Sequence, residues 1–235
     1  MAGICYSQLP ARLDSLRDET YRRFNESLIP GAEGTSYGVR LPQLRVIARE
    51  ILQGDWQRFL SEAKDSPIYE IIMLRGLVIA TAPCEYSQRL HLLAGFVPSI
   101  QNWAVCDCVT GSIKSARRHL PETWTFLQPY LQSRKEFELR FAVVMLMDYF
   151  LTEEYIEQVL ALLRCIRHEG YYVNMAIAWT LSVCFVKFRN RTLALFQSKV
   201  LSPWVQNKAI QKCRESRRVT AEDKQLLLSY KLQAL

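Results

Sequence analysis

The stretch FAVVMLM, from Phe141 to Met147, is apolar at every position. A helix formed by such a run is hydrophobic on all sides, as expected for a helix that is packed between neighbouring helices. The chain has nine Gly and nine Pro among 235 residues, which is few for an all-β protein. The stretch therefore predicts an all-α fold in which some helices are enclosed by others.

Outward from this stretch, segments of helical length alternate with breaks at Pro, Gly or polar clusters. An amphipathic helix is predicted over 9–25, a break from Ile29 to Ser36, and a second helix beginning near Pro42. Further helices are predicted near 55–64, 67–81, 85–95, 98–118, 121–132, 135–149, 153–167, 171–186, 190–199, 203–213 and 220–231. No strand is predicted.

Three residues suggest a repeat along the chain. Trp103, Arg140 and Trp179 stand 37 and 39 residues apart, each in the first and more apolar helix of a predicted pair. A period of about 35 to 40 residues is near that of HEAT and armadillo proteins. We therefore predict a curved α-solenoid of HEAT-like helix pairs, forming a single domain over residues 1–235, in which equivalent helices bring these residues and Asp107 to one concave face.

An aromatic ring and a carboxylate lie four residues apart in NWAVCDC, from Asn102 to Cys108. On a helix this spacing places Trp103 and Asp107 on one face, so one partner could contact both. Asp is a poor residue for a helix interior among apolar neighbours, which suggests a functional role. The alternative is that Asp107 caps or bridges inside the core while Trp103 fills volume.

The positive charge is concentrated near the C-terminus. The formal net charge is +7, and the segment from Lys187 to Arg218 has nine bases against one acid, Glu215, or +8. The nine bases are Lys187, Arg189, Arg191, Lys199, Lys208, Lys212, Arg214, Arg217 and Arg218. Such asymmetry favours a polyanionic partner, and the alternative is a solvated basic surface on an ordinary protein.

Composition also predicts the cellular setting. The seven Cys form no CxxC pair and there are only three His, so we expect free thiols, a reducing compartment and no metal site. No apolar run is long enough for a membrane span, and the N-terminal residues become charged too early for a signal peptide. We expect a cytoplasmic, nucleoid-associated protein that is a monomer. We expect it to use no small-molecule cofactor and to bind no membrane.

A basic concave groove with two Trp and one Asp is better suited to nucleic acid than to a protein partner. Lys and Arg would neutralise phosphates and supply most of the affinity. The sequence shows no module that reads bases in a groove, so binding to the DNA backbone without sequence specificity is expected.

Five blocks resemble the DNA alkylation repair family, the AlkD-like DNA glycosylases built of HEAT-like helical repeats. They lie in order over nearly the whole chain and are YGVRLPQLR (37–45), NWAVCD (102–107), RFAVVML (140–146), YYVNMAIAW (171–179) and NKAIQKCRES (207–216). The resemblance implies double-stranded DNA as partner and excision of purines alkylated at N3 or N7. It also places the family's functional set at Trp103, Asp107, Arg140 and Trp179.

The implied chemistry needs few groups. A purine made cationic by alkylation leaves as a neutral molecule, so the enzyme mainly stabilises an oxocarbenium-like sugar and positions water. Asp107 is the predicted carboxylate, with Trp103 and Trp179 packing against the same nucleotide. The expected phosphate contacts are Arg140, Lys187, Lys208, Lys212 and Arg214.

Several alternatives stay open. Arg140 could pair with Glu136 or Glu138, and Trp179 could belong to the core. Tyr171 and Tyr172 are interpreted as packing residues. Glu70, in a further family-like block, is interpreted as structural. At the level of the whole chain, the alternatives are a non-catalytic binder of branched or distorted DNA on the same fold and a protein-interaction solenoid.

Overall fold

The computed structural model describes residues 3–29 and 34–233. Pro30 to Glu33, part of the predicted break, lie outside the described residues. Over the described ranges the chain forms fourteen α-helices and three 3-10 helices and contains no strand, so the predicted all-α fold is confirmed. Among the same residues, no helix combines the length and apolar character that a membrane span requires.

The chain divides into two compact units, residues 1–119 and 120–235. The α-helices of the first unit are α1 (Leu9–Asp14), α2 (Glu19–Leu28), α3 (Leu41–Leu52), α4 (Trp56–Glu62), α5 (Tyr69–Thr81), α6 (Tyr86–Phe96) and α7 (Trp103–Thr110). Helices α3, α5 and α7 pack side by side, while α4 and α6 pack on α3 and α5. From Tyr69 to Ala80, every residue of α5 except Ile72 is buried, so α5 is enclosed by its neighbours.

The second unit repeats this arrangement. Its helices are α8 (Leu120–Leu131), α9 (Glu136–Tyr149), α10 (Ile156–Cys165), α11 (Tyr171–Lys187), α12 (Arg189–Ser198), α13 (Pro203–Glu215) and α14 (Ala221–Leu228). Helices α9, α11 and α13 pack side by side, with α8, α12 and α14 packed on them in turn. Every residue from Phe141 to Met147 is buried, as the sequence predicts. Each unit thus has the stacked helix pairs of an α-solenoid, and one continuous domain over 1–235 stays a prediction.

The predicted helix over 9–25 is wrong, because the segment forms two helices. Helix α1 ends at Asp14, and the side chain of Asp18 then accepts a hydrogen bond from the backbone N–H of Tyr21 at 2.8 Å. This bond satisfies an N–H of the first turn of α2, which makes Asp18 an N-cap and starts a second helix.

The predicted helix over 98–118 is also wrong in extent. Only residues 103–110 are α-helical, with 3-10 turns at Val97–Ser99 and Lys114–Arg118. The side chain of Asn102 caps α7 by accepting from the N–H of Val105 at 2.9 Å. The predicted final helix, over 220–231, ends at Leu228 instead.

The helices recur at a shorter period than predicted. Helices α7, α9, α11 and α13 begin at residues 103, 136, 171 and 203, so they are spaced by 33, 35 and 32 residues. Trp103 is therefore the first residue of α7, Arg140 the fifth of α9 and Trp179 the ninth of α11. The three residues are not at equivalent positions, since each lies one turn further along its helix. Each shift of four residues turns the side chain by about 40° around its helix, so the shift of eight from Trp103 to Trp179 amounts to about 80°.

Gly76 allows α7 to approach α5 closely. A Cβ added at this position would lie 2.3 Å from Cγ2 of Val109 and 2.8 Å from Cζ of Phe96. We expect Gly76→Ala to lower the free energy of unfolding by about 1 to 3 kcal/mol, because the core must shift to accept the methyl group. Urea denaturation would measure the change.

Gly95, in α6, provides the matched control. A Cβ added there meets no atom within 4 Å, so Gly95→Ala should be neutral or slightly stabilising. Equal urea midpoints of unfolding for Gly76→Ala and Gly95→Ala would show that the contact between α5 and α7 tolerates a larger residue.

Candidate functional site

Trp103 and Asp107 lie on one face of α7, as their spacing predicts. Both side chains are half-buried, while Val105 and Val109, on the other side of the helix, are fully buried. Half-burial lowers the effective dielectric around the carboxylate without removing its access to solvent. The pair therefore presents a ring and a carboxylate together at the surface of the first unit.

The indole of Trp103 is fixed at its polar edge. Its Nε1–H donates a hydrogen bond to the backbone carbonyl oxygen of Leu28 at 3.0 Å. Leu28 is the last residue of α2, where carbonyl groups lack partners within the helix. This bond orients the ring and satisfies the N–H, so the face of the ring is what a ligand can contact.

The two cysteines beside Asp107 differ in environment. Cys106 is fully buried and packs as a small core residue. Burial raises the pKa of the Cys108 thiol, while the positive charge of Arg45 lowers it and Asp107 raises it. Cys108 is therefore protonated at neutral pH and, as a thiol, is a poor nucleophile.

Glu70 anchors the segment that leads into α3. Its side chain is fully buried in α5, and Oε1 accepts hydrogen bonds from Ser36 Oγ at 2.8 Å, Tyr37 N at 3.0 Å, Gly38 N at 2.9 Å and Val39 N at 3.2 Å. Gly38 has a φ of 77°, a conformation that favours glycine. The structural interpretation of Glu70 is confirmed, and the carboxylate ties the YGVRLPQLR block to α5.

Arg140, on α9, is buried rather than displayed at a surface. Only 5% of the residue is exposed, and Nη1 donates to the carbonyl oxygen of Tyr172 at 2.6 Å. The N–H of Tyr172 in turn donates to Oε1 of Glu136 at 2.6 Å. The two side chains hold the first turn of α11 against α9, and the predicted contact of Arg140 with a phosphate stays a prediction.

Trp179 lines a groove between α11 and α13, named here the Trp179 groove. The groove has a volume of about 280 Å³, and 36% of Trp179 is exposed. Its lining residues are Trp179, Ser182, Val183, Val186, Lys212, Glu215, Ser216 and Arg218. The structure thus brings Trp179 together with Lys212, one of the predicted phosphate contacts.

The basic segment carries less free charge than its sequence count indicates. The guanidinium of Arg189 contacts Asp223, with Nε 2.8 Å from Oδ2, and lowers the pKa of that carboxyl. Arg191 pairs with Glu153 at 2.7 Å and Glu157 at 3.1 Å. These two bases are neutralised by acids that lie outside the segment in sequence.

Four of the five predicted phosphate contacts are not paired with an acid among the described residues. In the part of the chain that the structure describes, Lys187, Lys212 and Arg214 form no ion pair, and Nζ of Lys208 donates to Oε1 of Gln211 at 2.9 Å. Lys208 and Arg214 line a second pocket of the same unit, together with Trp204 and Lys231. Neither Trp204 nor Lys231 is among the predicted site residues, although Trp204 stands one helical turn before Lys208.

The structure places the candidate residues in two sets. Trp103 and Asp107 share a face in the first unit, and Trp179 and Lys212 share a groove in the second. Convergence of the two sets on one concave surface stays a prediction. No group of three or more His, Cys, Asp or Glu side chains within residues 3–29 and 34–233 is arranged to hold a metal ion.

Comparison with known proteins identifies the family. No curated protein matches the chain. A family model described as "DNA alkylation repair enzyme" matches residues 8–212, which include the four residues Trp103, Asp107, Arg140 and Trp179. Because the match covers most of the 235 residues, the chain belongs to the DNA alkylation repair enzyme family.

Proposed function

We propose that this protein is a DNA glycosylase that hydrolyses the N-glycosidic bond of purines alkylated at N3 or N7 in duplex DNA. Membership of the DNA alkylation repair enzyme family supports repair of alkylated DNA. The observation that carries the proposal is the half-buried face of α7, where Trp103, with its N–H already bonded, stands one turn from Asp107.

The proposed reaction breaks the bond between C1′ and the purine nitrogen. The bonding electron pair leaves with the cationic base, which becomes neutral and needs no proton from a general acid. Positive charge develops on the sugar, and Asp107 stabilises it while orienting a water molecule toward C1′. Water adds to C1′ and releases a proton, so the products are the free base and an abasic sugar.

The two Trp residues are proposed to bind the damaged nucleotide. An indole face attracts a cation and packs against a base or sugar. The hydrogen bond from Trp103 to Leu28 leaves that face available, and Trp179 is the exposed aromatic residue of its groove. In this proposal Arg140 contributes by holding the first turn of α11, the helix that carries Trp179.

Backbone binding is assigned to the bases of the second unit. Lys212 lines the Trp179 groove, Lys208 and Arg214 line the second pocket, and Lys187 is exposed at the end of α11. Such contacts neutralise phosphates and carry no sequence information. The proposed enzyme therefore binds duplex DNA of any sequence and selects its substrate at the lesion.

Release of free base tests the proposed function. Methylated duplex DNA is incubated with the protein, and the soluble fraction is separated by chromatography. We expect free 3-methyladenine and 7-methylguanine above the level released without protein. Tight DNA binding without base release would instead favour the non-catalytic binder.

Removal of Lys212 should change the salt dependence of duplex binding. We expect Lys212→Gln to weaken binding and to reduce the slope of log affinity against log salt by about 1, because one phosphate contact is lost. Fluorescence anisotropy with undamaged duplex at several salt concentrations would measure the slope. Lys64→Gln, which removes one exposed charge from the first unit, should leave the slope unchanged. If the slope of log affinity against log salt is the same for Lys212→Gln and Lys64→Gln, then Lys212 does not contact a phosphate.

A further inference from the structure

A second pocket of the C-terminal unit has the features of a binding site. Its volume is about 690 Å³, within the range of roughly 300 to 1,000 Å³ that is typical of ligand sites. The pocket, named here the Trp204 pocket, is lined by Ser202, Pro203, Trp204, Asn207, Lys208, Gln211, Arg214 and Lys231. It shares none of these residues with the Trp179 groove.

One wall of the Trp204 pocket is the segment that follows α14, which is held in place by two side chains of α13. Asn207 donates from Nδ2 to the carbonyl oxygen of Leu232 at 2.8 Å and accepts from its N–H at 2.9 Å. Gln206, which is fully buried, donates to the carbonyl oxygen of Tyr230 at 2.7 Å. These bonds fix both neighbours of Lys231 and place that base at the pocket.

Trp204 gives the pocket an exposed aromatic surface. Although 41% of the residue is exposed, its ring makes an edge-to-face contact with the ring of Tyr171, with ring centroids 5.8 Å apart and planes at 71°. Nζ of Lys208 lies 5.8 Å from the centroid of the indole. The ring is thus held by its neighbours and still presents part of its apolar surface to solvent, where a planar ligand could contact it.

The charge of the pocket has one sign. Its lining contains the three cations Lys208, Arg214 and Lys231, and no Asp or Glu is among the described residues that line it. A planar aromatic surface flanked by several cations matches a nucleotide in an unpaired strand, whose base can stack while its phosphates are neutralised. A base inside a duplex has both faces covered and could not stack on Trp204 in this way.

We propose that the Trp204 pocket binds single-stranded DNA, with one unstacked base on the indole of Trp204 and the adjoining phosphates near Lys208, Arg214 and Lys231. This inference rests on the proposed function in one respect, because Lys208 and Arg214 are also proposed DNA contacts. The present proposal assigns Lys208 and Arg214 to the phosphates of an unpaired strand. It also adds Trp204 and Lys231 to the DNA contacts. An enzyme with this pocket would hold a melted or frayed strand in addition to the duplex.

Binding of a fluorescein-labelled decathymidylate, measured by anisotropy, tests this proposal. We expect Trp204→Ala to weaken binding about 5- to 150-fold, the loss that corresponds to removing one stacking platform. Lys231→Gln should reduce the slope of log affinity against log salt by about 0.7. Lys199→Gln, which removes an exposed charge of the same unit outside the pocket, should change neither quantity.

The outcomes separate this proposal from the proposed glycosylase activity, which is measured on the same preparations as base release from methylated duplex. If wild-type protein releases base but binds decathymidylate no more tightly than Trp204→Ala and Lys231→Gln, the Trp204 pocket is not a single-strand site. A shift from dimer to monomer in Trp204→Ala, seen by sedimentation, would also overturn the proposal, because a second copy would then cover the ring.

Discussion

Replacement of Asp107 by Asn should slow the release of 7-methylguanine by about 100- to 1,000-fold, which is the usual loss when one charge-stabilising group is removed from a reaction centre. The amide keeps the shape of the side chain but removes the negative charge that the developing oxocarbenium-like sugar requires. Asp107 is half-buried on α7, so water screens its charge less than it screens that of an exposed carboxylate. The effect should therefore appear in the rate of the chemical step.

Single-turnover measurements with excess protein would isolate that step. We expect the affinity of Asp107→Asn for undamaged duplex to equal that of the wild type or to exceed it slightly, since a negative charge facing phosphates is lost. Asp65→Asn, which alters an exposed carboxylate of the same unit, should keep the wild-type rate. If Asp107→Asn releases base as fast as Asp65→Asn, then Asp107 does not participate in the chemistry.

Replacement of Glu70 by Ala should cost about 3 to 5 kcal/mol of unfolding free energy, a larger loss than we expect from Gly76→Ala. The carboxylate accepts four hydrogen bonds in the interior, three of them from consecutive backbone N–H groups at residues 37–39. Ala leaves these donors without their acceptor and creates a cavity in α5. Glu70→Gln retains an acceptor oxygen and should lose less.

Urea denaturation of three variants would test this expectation. Glu62 serves as the matched control, because its ion pair with Arg58 at 2.8 Å lies at the surface of α4. Exposed pairs of this kind contribute about 0 to 1 kcal/mol, so Glu62→Ala should be nearly neutral. A loss for Glu70→Ala that does not exceed the loss for Glu62→Ala would mean that the segment from Ser36 to Val39 is held by other contacts.

The sequence predicted the helices better than it predicted their ends. The uniform apolarity of Phe141 to Met147 identifies an enclosed helix, because a helix that is buried on every side has apolar residues at consecutive positions of the sequence. The helix over 98–118 was overextended because the break depends on Asn102 bonding to the N–H of Val105, which hydrophobic periodicity does not report. Caps of this kind are short-range chemistry and could have been recognised from the Asn itself.

The candidate site was predictable where neighbours in space are neighbours in sequence. The shared face of Trp103 and Asp107 follows from helical spacing alone. The burial of Arg140 does not follow from sequence, because its partner, the carbonyl oxygen of Tyr172, lies 32 residues away. In the same way, Arg189 is neutralised by Asp223, 34 residues further along the chain, which no local charge count reveals.

The Trp204 pocket also depends on contacts between residues that are far apart in the sequence, so it could not be predicted from local patterns. Most of its residues lie in α13, whereas Lys231 belongs to a segment that is predicted to be helical and instead follows the end of α14. Only the hydrogen bonds from Gln206 and Asn207 to residues 230 and 232 bring that lysine beside the indole. Contacts between chain segments about 25 residues apart thus decide which bases surround an aromatic ring.

In the proposed reaction, Asp107 assists the departure of a purine that alkylation has already made cationic, and no general acid takes part. The most direct test compares the release of 7-methylguanine with that of hypoxanthine, a neutral purine, by wild-type protein from otherwise identical duplexes. The proposed chemistry predicts rapid release of 7-methylguanine and none of hypoxanthine, because a neutral base would leave as an anion unless a general acid protonated it. Comparable release of both bases, or failure to release 7-methylguanine, would contradict it.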